Sequence, residues 1–196
     1  TNFLITDVKR AKAKSKVTGL VDKGADKGAL ILTERTLKDA ESGLDLATLT
    51  STTFARGNGG YDGPSDEAPR PHKVPEREPD FAVDLTTLDM AALIYRLSGD
   101  YNPLHASPSV ARAAGFPKPI LHGLCSLGVA GHAILKGCCD YDAKRLKSLQ
   151  LRFSSPVYPG ETVRTEIWRD GANISFKSKI VERDVVVLDN GHATVE

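Results

Sequence analysis

The sequence has almost no net charge and no long apolar run. Its 196 residues carry 26 lysines and arginines against 25 aspartates and glutamates, a formal net charge of +1. This balance offers no global field for binding nucleic acid or an anionic membrane, so an anionic ligand would have to be bound by local contacts. No stretch reaches the roughly 18 apolar residues of a membrane span. Residues 1–10 lack the arrangement of a secretory signal, and the absence of Met at position 1 indicates a trimmed or partial chain.

Cysteine is also scarce. The three present, Cys125, Cys138 and Cys139, cannot pair completely, and none stands at zinc-ligand spacing from another cysteine or a histidine. The sequence therefore predicts reduced thiols of an intracellular protein and no metal. We interpret the adjacent pair as small apolar packing residues at a helix end, with a redox role as the alternative.

Composition divides the chain into three regions. Residues 1–55 hold β-branched runs with period-two alternation, which predict strands at 3–8, 16–21, 29–33 and 46–54 and turns at 22–28 and 40–43. No long apolar helix accompanies them. Residues 56–79 are rich in glycine, proline and charge and predict a linker. Residues 80–196 predict one α+β module.

Within that module the pattern predicts a helix surrounded by strands. A short strand at 81–85 is followed by helices at 87–97, with Thr86 or Thr87 as N-cap, and at 107–114. A third helix at 121–135 is apolar nearly all round, which predicts that it is buried. Strand-like runs follow at 146–153, 162–169, 174–182 and 185–188. A curved antiparallel sheet wrapped around a buried helix is the hot-dog fold.

The loop after the first of these helices carries the chemistry. Gly99 and Pro103 are helix breakers, so the helix has to end near residue 98 and a tight loop follows. This loop places Asp100, Asn102 and His105 on one short turn, where the proline limits the conformations of its neighbours. A carboxylate and an imidazole so close together predict an acid/base site. Taken singly, the aspartate reads as a loop cap and the histidine as a structural residue bonded to a carbonyl.

The residues in and after this loop resemble those of a known family. The similar segments run from Tyr95 through Arg-Leu-Ser-Gly-Asp-Tyr-Asn-Pro-Leu to His105, then 114–116, 119–125, 152–162 and Trp168. In this ordered set, residues 80–196 closely resemble the R-specific 2-enoyl-CoA hydratase family, also called hydratase 2 or MaoC-like dehydratase. The resemblance is greatest to the hydratase part of the peroxisomal multifunctional enzyme type 2.

The resemblance implies a reaction and the residues that perform it. The reaction is the reversible hydration of trans-2-enoyl-CoA to (R)-3-hydroxyacyl-CoA, in β-oxidation or related acyl-CoA metabolism. Asp100 and His105 would share the catalytic water, and the Gly123 N–H would bind the thioester oxygen as the oxyanion donor. Asn102 would support the loop, with an Asx turn before proline as the alternative. The substrate and CoA contacts would be Tyr101, Pro103, Leu104, His122, Phe153, Lys118 and Arg152.

The resemblance also implies partners and organisation. In the eukaryotic form two hot-dog repeats are fused, so residues 1–55 would be the strands of an incomplete first repeat, 56–79 the linker and 80–196 the catalytic domain. We expect an acyl-CoA substrate, no cofactor beyond the CoA of the substrate, no nucleic-acid partner and a homodimer, since exposed sheet edges invite pairing. A peroxisomal location is suggested, and the cytoplasm is the alternative. The competing functions are a hot-dog acyl-CoA thioesterase and a non-catalytic acyl-thioester binding module.

Overall fold

The computed structural model describes residues 9–65 and 70–196, which form two compact units, Thr1–Arg70 and Pro71–Glu196. The strand predicted at 3–8 lies outside the described residues. The division between the units falls inside the segment predicted as a linker. Each unit has its own sheet, and each is described by itself.

The first unit is a three-stranded antiparallel sheet. Its strands are β1 (Ala11–Asp22), β2 (Ala29–Asp39) and β3 (Asp45–Ala55), in that order across the sheet. The three strands and two turns predicted within the described part of this region are thus confirmed, although each strand is longer than predicted. Val17, Leu20 and Leu49 remain about half exposed. Residues 9–65 contain no helix that could cover them.

Asp22, the last residue of β1, ties the following irregular segment to this sheet. Its carboxylate accepts the backbone N–H groups of Gly60, Gly24 and Tyr61 at 2.7–2.8 Å. Hydrogen bonds to the charged form, first from Gly60 and then from Gly24, lower the pKa of Asp22. A buried aspartate here is therefore structural.

The second unit is a five-stranded antiparallel sheet packed against one long helix. The strands are β4 (Phe81–Thr86), β5 (Leu146–Phe153), β6 (Thr162–Asp170), β7 (Asn173–Ile180) and β8 (Val185–Val195), in the order β4-β6-β7-β8-β5. Alternate residues of β6 and β7 face the core, which places Ile167 and Phe176 in full burial beside Ile134 of the helix. The four predicted strands after the helix are confirmed, and β8 runs seven residues past its predicted end at Leu188.

Three α-helices accompany this sheet: α1 (Ala91–Tyr95), α2 (Pro108–Ala113) and α3 (Gly123–Cys138). The first predicted helix is wrong at its start, because Thr87 does not cap it. The Thr87 hydroxyl instead donates to the Glu161 carbonyl and accepts the Gly160 N–H, both at 3.0 Å. These bonds hold residue 87 on the turn before β6, so the helix begins only at Ala91. Within the described residues, no helix is long and apolar enough to cross a membrane.

The burial predicted for α3 is corrected by the structure. One face of the helix is buried, with Ala130, Ile134 and Cys138 at intervals of four residues. The opposite face, which includes Leu124, Gly128 and His132, is exposed. An all-round apolar helix has no periodic signal that tells which face the sheet covers.

Residues 71–79 have no helix or strand but are bonded to the second sheet. Asn190 Nδ2 donates to the His72 carbonyl at 2.7 Å, His72 Nε2 lies 2.8 Å from Ser175 Oγ, and Trp168 Nε1 donates to the Arg77 carbonyl. The His72 ring centre lies 4.6 Å from that of His192. Burial, and secondarily the charge of His192, lower the pKa of His72 below its ordinary value of 6.5.

We expect this histidine to make the second unit less stable in acid. The pKa of His72 is lower in the folded than in the unfolded chain, so its contribution is complete above pH 6.5 and is lost as pH falls below that value. The melting temperature of the wild type should therefore drop more between about pH 8 and about pH 5 than that of His72→Gln. Equal drops in the melting temperatures of the two proteins, measured by circular dichroism, would show that His72 does not contribute to the pH dependence of stability.

Candidate active site

The loop that follows α1 has the geometry expected from its glycine and proline. After Tyr95 the chain makes a 3₁₀ turn at Arg96–Ser98 and reaches Gly99 at φ +109°, a left-handed conformation that side chains disfavour. A second 3₁₀ turn, Pro103–His105, has the proline at its first position. The loop thus places Asp100 between the two turns and His105 at the end of the second one.

Side chains within the loop hold its backbone. Asp100 Oδ1 accepts the Asn102 N–H at 3.2 Å, and Asn102 Oδ1 accepts the Leu104 N–H at 3.0 Å. Asn102 therefore makes the turn-type bond that was the alternative to a direct mechanistic role. The Leu104 N–H that Asn102 accepts lies one residue before His105, so Asn102 supports the loop next to the histidine.

The His105 ring is held in one tautomer. It is 9% exposed, and its Nδ1 lies 2.8 Å from the carbonyl oxygen of Ile120. A carbonyl oxygen only accepts hydrogen bonds, so Nδ1 carries the proton. In neutral His105 the lone pair is then on Nε2, which is the nitrogen that can take a proton from a bound water.

His122 joins these two residues from the start of α3. Its ring stacks on His105 with the ring centres 3.7 Å apart, and its Nε2 lies 3.1 Å from the carbonyl oxygen of Asp100. Ligand atoms of Asp100, His105 and His122 all lie within 4.8 Å of one another, the one such group in the described part of the chain that could hold a metal ion. The fold therefore brings a third ionisable side chain to the predicted pair.

Gly123 is the first residue of α3, where the backbone N–H groups have no acceptor within the helix. A Cβ on Gly123 would lie 3.3 Å from the ring of Phe153, which is half exposed. Glycine therefore lets the ring of Phe153 lie close to the start of α3. Phe153, one of the predicted ligand contacts, thus lies beside the predicted oxyanion donor.

The other predicted ligand residues lie at varied positions. Tyr101 is exposed, and the guanidinium of Arg96 lies 5.5 Å from its ring centre. The Lys118 Nζ lies 5.4 Å from the ring centre of Tyr158, and Arg152 is exposed on β5. Across residues 9–65 and 70–196, neither cation is hydrogen-bonded or ion-paired to Asp100 or His105.

Sequence reasoning missed two contributors to this site. The Ile120 carbonyl that sets the His105 tautomer has no sequence signal, since any residue supplies a carbonyl. Arg96 lies in the loop motif without a predicted role of its own, yet its Nε is buried without a hydrogen-bond partner in the described structure. Its position between the motif tyrosines, Tyr95 and Tyr101, was the available signal.

An antiparallel sheet packed against one central helix places the second unit in the class of hot-dog proteins, and the Asp/His loop lies at the N-terminus of that helix. Residues 71–191 match the family described as MaoC like domain. The chain belongs to this MaoC-like family.

Individual relatives agree with this assignment. The chain is 43% identical over 183 residues to "3-hydroxyacyl-thioester dehydratase Y" of Mycobacterium tuberculosis, covering 90% of this chain and 63% of that protein. It is 41% identical to "Enoyl-CoA hydratase 2, peroxisomal" of Arabidopsis thaliana, covering 89% of this chain and 59% of that one. The crystal structure of a MaoC-like dehydratase from Phytophthora capsici superposes with a TM-score of 0.87 at 42% identity, covering 95% of this chain and 64% of that one. The chain thus spans about three fifths of the length of these relatives.

Proposed function

We propose that this protein hydrates trans-2-enoyl-CoA reversibly to (R)-3-hydroxyacyl-CoA. The observation that carries the proposal is the Asp100 carboxylate beside a His105 whose Nδ1 is bonded to Ile120 and whose Nε2 is therefore the basic nitrogen. The names of the relatives, a dehydratase of 3-hydroxyacyl thioesters and an enoyl-CoA hydratase, support the same chemistry.

The geometry suggests how the reaction would proceed. A water held between Asp100 and His105 would lose a proton to this pair as its oxygen attacks C3 of the enoyl group, and the pair would return a proton to C2. Negative charge that develops on the thioester oxygen would be stabilised by the N–H of Gly123 at the start of α3. Because one short loop supplies both proton-transferring groups, the water oxygen and the C2 proton would add to the same face of the double bond. The R configuration of the product is what the family resemblance implies.

This mechanism uses only side chains and backbone of the chain. Proton transfer and oxyanion stabilisation need no redox cofactor, so CoA would enter only as part of the substrate. Phe153 is proposed as a binding contact because its ring lies 3.3 Å from the position that a Cβ on Gly123 would take, beside the proposed oxyanion donor. The contacts proposed for Tyr101, Pro103, Leu104, His122, Lys118 and Arg152 rest on the family resemblance.

The test is the reaction of the purified full chain with crotonyl-CoA. We expect the absorbance of the conjugated enoyl thioester to decay while 3-hydroxybutyryl-CoA forms, with the R enantiomer found by chiral analysis. Release of free CoA thiol without hydroxyacyl product would establish the thioesterase function instead. Binding of crotonyl-CoA with no product of either kind would establish the binding module.

Domain organisation and assembly are part of the proposal. We propose that residues 80–196 are the catalytic hot-dog domain, 56–79 a linker and 1–55 an incomplete first repeat. The last proposal is supported by residues 9–65, which contain strands and no helix. A homodimer is supported by the exposed apolar side chains near the catalytic loop, Leu93, Leu97 and Leu124. A monomer in light scattering would remove the dimer from the proposal.

A peroxisomal location is supported by the name of the Arabidopsis relative, whereas the mycobacterial relative shows that similar chains also occur in a bacterium. Imaging of a tagged full-length protein in its own cells is the test. Peroxisomal fluorescence is the expected result, and a diffuse cytoplasmic signal would favour the alternative.

A further inference from the structure

His122 is the most deeply buried ionisable side chain of the site, at 1% exposure. Its Nε2 is 3.1 Å from the Asp100 carbonyl oxygen, so this nitrogen must carry a proton and donate it. Its Nδ1 is buried without a hydrogen-bond partner in the described structure. A buried polar atom without a partner is uncommon and calls for an explanation. Here the ring is placed by its other contacts rather than by Nδ1.

Those contacts reach the catalytic pair from two directions. The N–H of Nε2 fixes the main chain at Asp100, on the loop. The face of the ring packs on His105 at 3.7 Å with the planes 25° apart, and a further contact to the Tyr95 ring, 4.7 Å away, confines it. His105 therefore has two restraints, the bond from its Nδ1 to Ile120 and the ring of His122.

His122 is also covalently joined to Gly123, whose N–H is the proposed oxyanion donor. It is the N-cap residue of α3 and precedes Gly123 directly. Its side chain makes no capping bond to the helix, because the ring points to the loop instead. One residue thus links the Asp100 backbone, the His105 ring and the Gly123 N–H.

We propose that His122 is a positioning residue that sets the geometry of the acid/base pair relative to the oxyanion donor. The inference rests on the proposed hydration. It assigns His122 no proton transfer of its own, and it replaces the substrate contact that the resemblance implies for His122 with a positioning role. Misplacement of catalytic groups by about 1 Å can cost on the order of 100-fold in rate. The bond from His122 to Asp100 controls such a displacement, since the loop backbone carries the carboxylate.

Substitutions can separate the two contacts. His122→Gln places an amide N–H near the position of Nε2 and can still donate to the Asp100 carbonyl, whereas the shorter His122→Asn cannot reach it. His122→Phe keeps a ring to pack on His105 but has no donor. His132→Gln is the matched control, because His132 is an exposed histidine on the same helix.

Turnover of crotonyl-CoA and binding of butyryl-CoA, its unreactive saturated analogue, are the measurements. We expect His122→Asn and His122→Phe to lower kcat about 100-fold, with the Kd for butyryl-CoA nearly unchanged. His122→Gln should recover most of the lost kcat, and His132→Gln should match the wild type. The proposal is overturned if His122→Gln is no better than His122→Asn, or if the loss lies in KM and Kd while kcat is retained.

A spectroscopic measurement keeps the inference separate from the reaction. Ring ¹⁵N chemical shifts of the wild-type protein, measured at a pH at which both imidazole rings are neutral, should place the proton of His122 on Nε2 and that of His105 on Nδ1. The opposite tautomer of His122 would exclude the bond to Asp100 and overturn the proposal, even in an active enzyme. If the wild type does not hydrate crotonyl-CoA but the tautomers are as expected, the proposed function fails and the arrangement of the loop stands.

Discussion

Asp100→Asn should lower kcat for crotonyl-CoA hydration by about 10³-fold. Asparagine has nearly the same shape as aspartate and keeps an Oδ1 that can accept the Asn102 N–H, so the loop retains its turn. What it loses is the charged oxygen that can exchange a proton with water or with C2. The melting temperature should stay close to that of the wild type, which separates a chemical effect from unfolding.

The exposed aspartate of the β1–β2 turn provides the control for Asp100. Asp26→Asn makes the same chemical change in the first unit and should leave kcat unaltered. A value of kcat for Asp100→Asn within about threefold of the wild type would mean that the carboxylate is a loop cap and not an acid/base group.

His105→Asn should have an effect of similar size, with kcat lowered by about 10³-fold. The asparagine amide occupies the place of Nδ1 and can still donate to the Ile120 carbonyl, which the histidine bonds at 2.8 Å. The variant therefore keeps this bond but lacks Nε2 with its lone pair, and it also lacks the ring that stacks on His122. His105→Ala would also leave that carbonyl without its donor and should cost roughly 1–3 kcal/mol of stability in addition.

The double variant tests whether the two residues act on one water. Groups that work as a unit give strongly non-additive losses, so Asp100→Asn with His105→Asn should be little worse than either single variant. Multiplicative losses in kcat would instead indicate two independent catalytic steps. Full activity of His105→Asn would show that His105 is a structural residue, a role that its burial also permits.

The sequence predicted the bounds of β5, β6 and β7 closely because the signal of these strands is local. β5 was predicted with both of its ends correct, and β6 and β7 within two residues, since β-branched alternation and turn residues lie within each segment. The start of α1 could not be predicted in the same way. Thr87 is bonded to the turn at Gly160 and Glu161, more than 70 residues away, and that tertiary bond overrides its capping preference.

By itself, the sequence determined the loop that holds Asp100 and His105. Gly99 and Pro103 restrict the backbone over a few residues, so the sequence places both residues on one short loop. Only the tertiary structure decided which nitrogen of His105 is basic and where its ring lies. The Ile120 carbonyl and the His122 ring belong to a segment 15 or more residues away, and contacts across that distance arise only when α3 packs against the sheet.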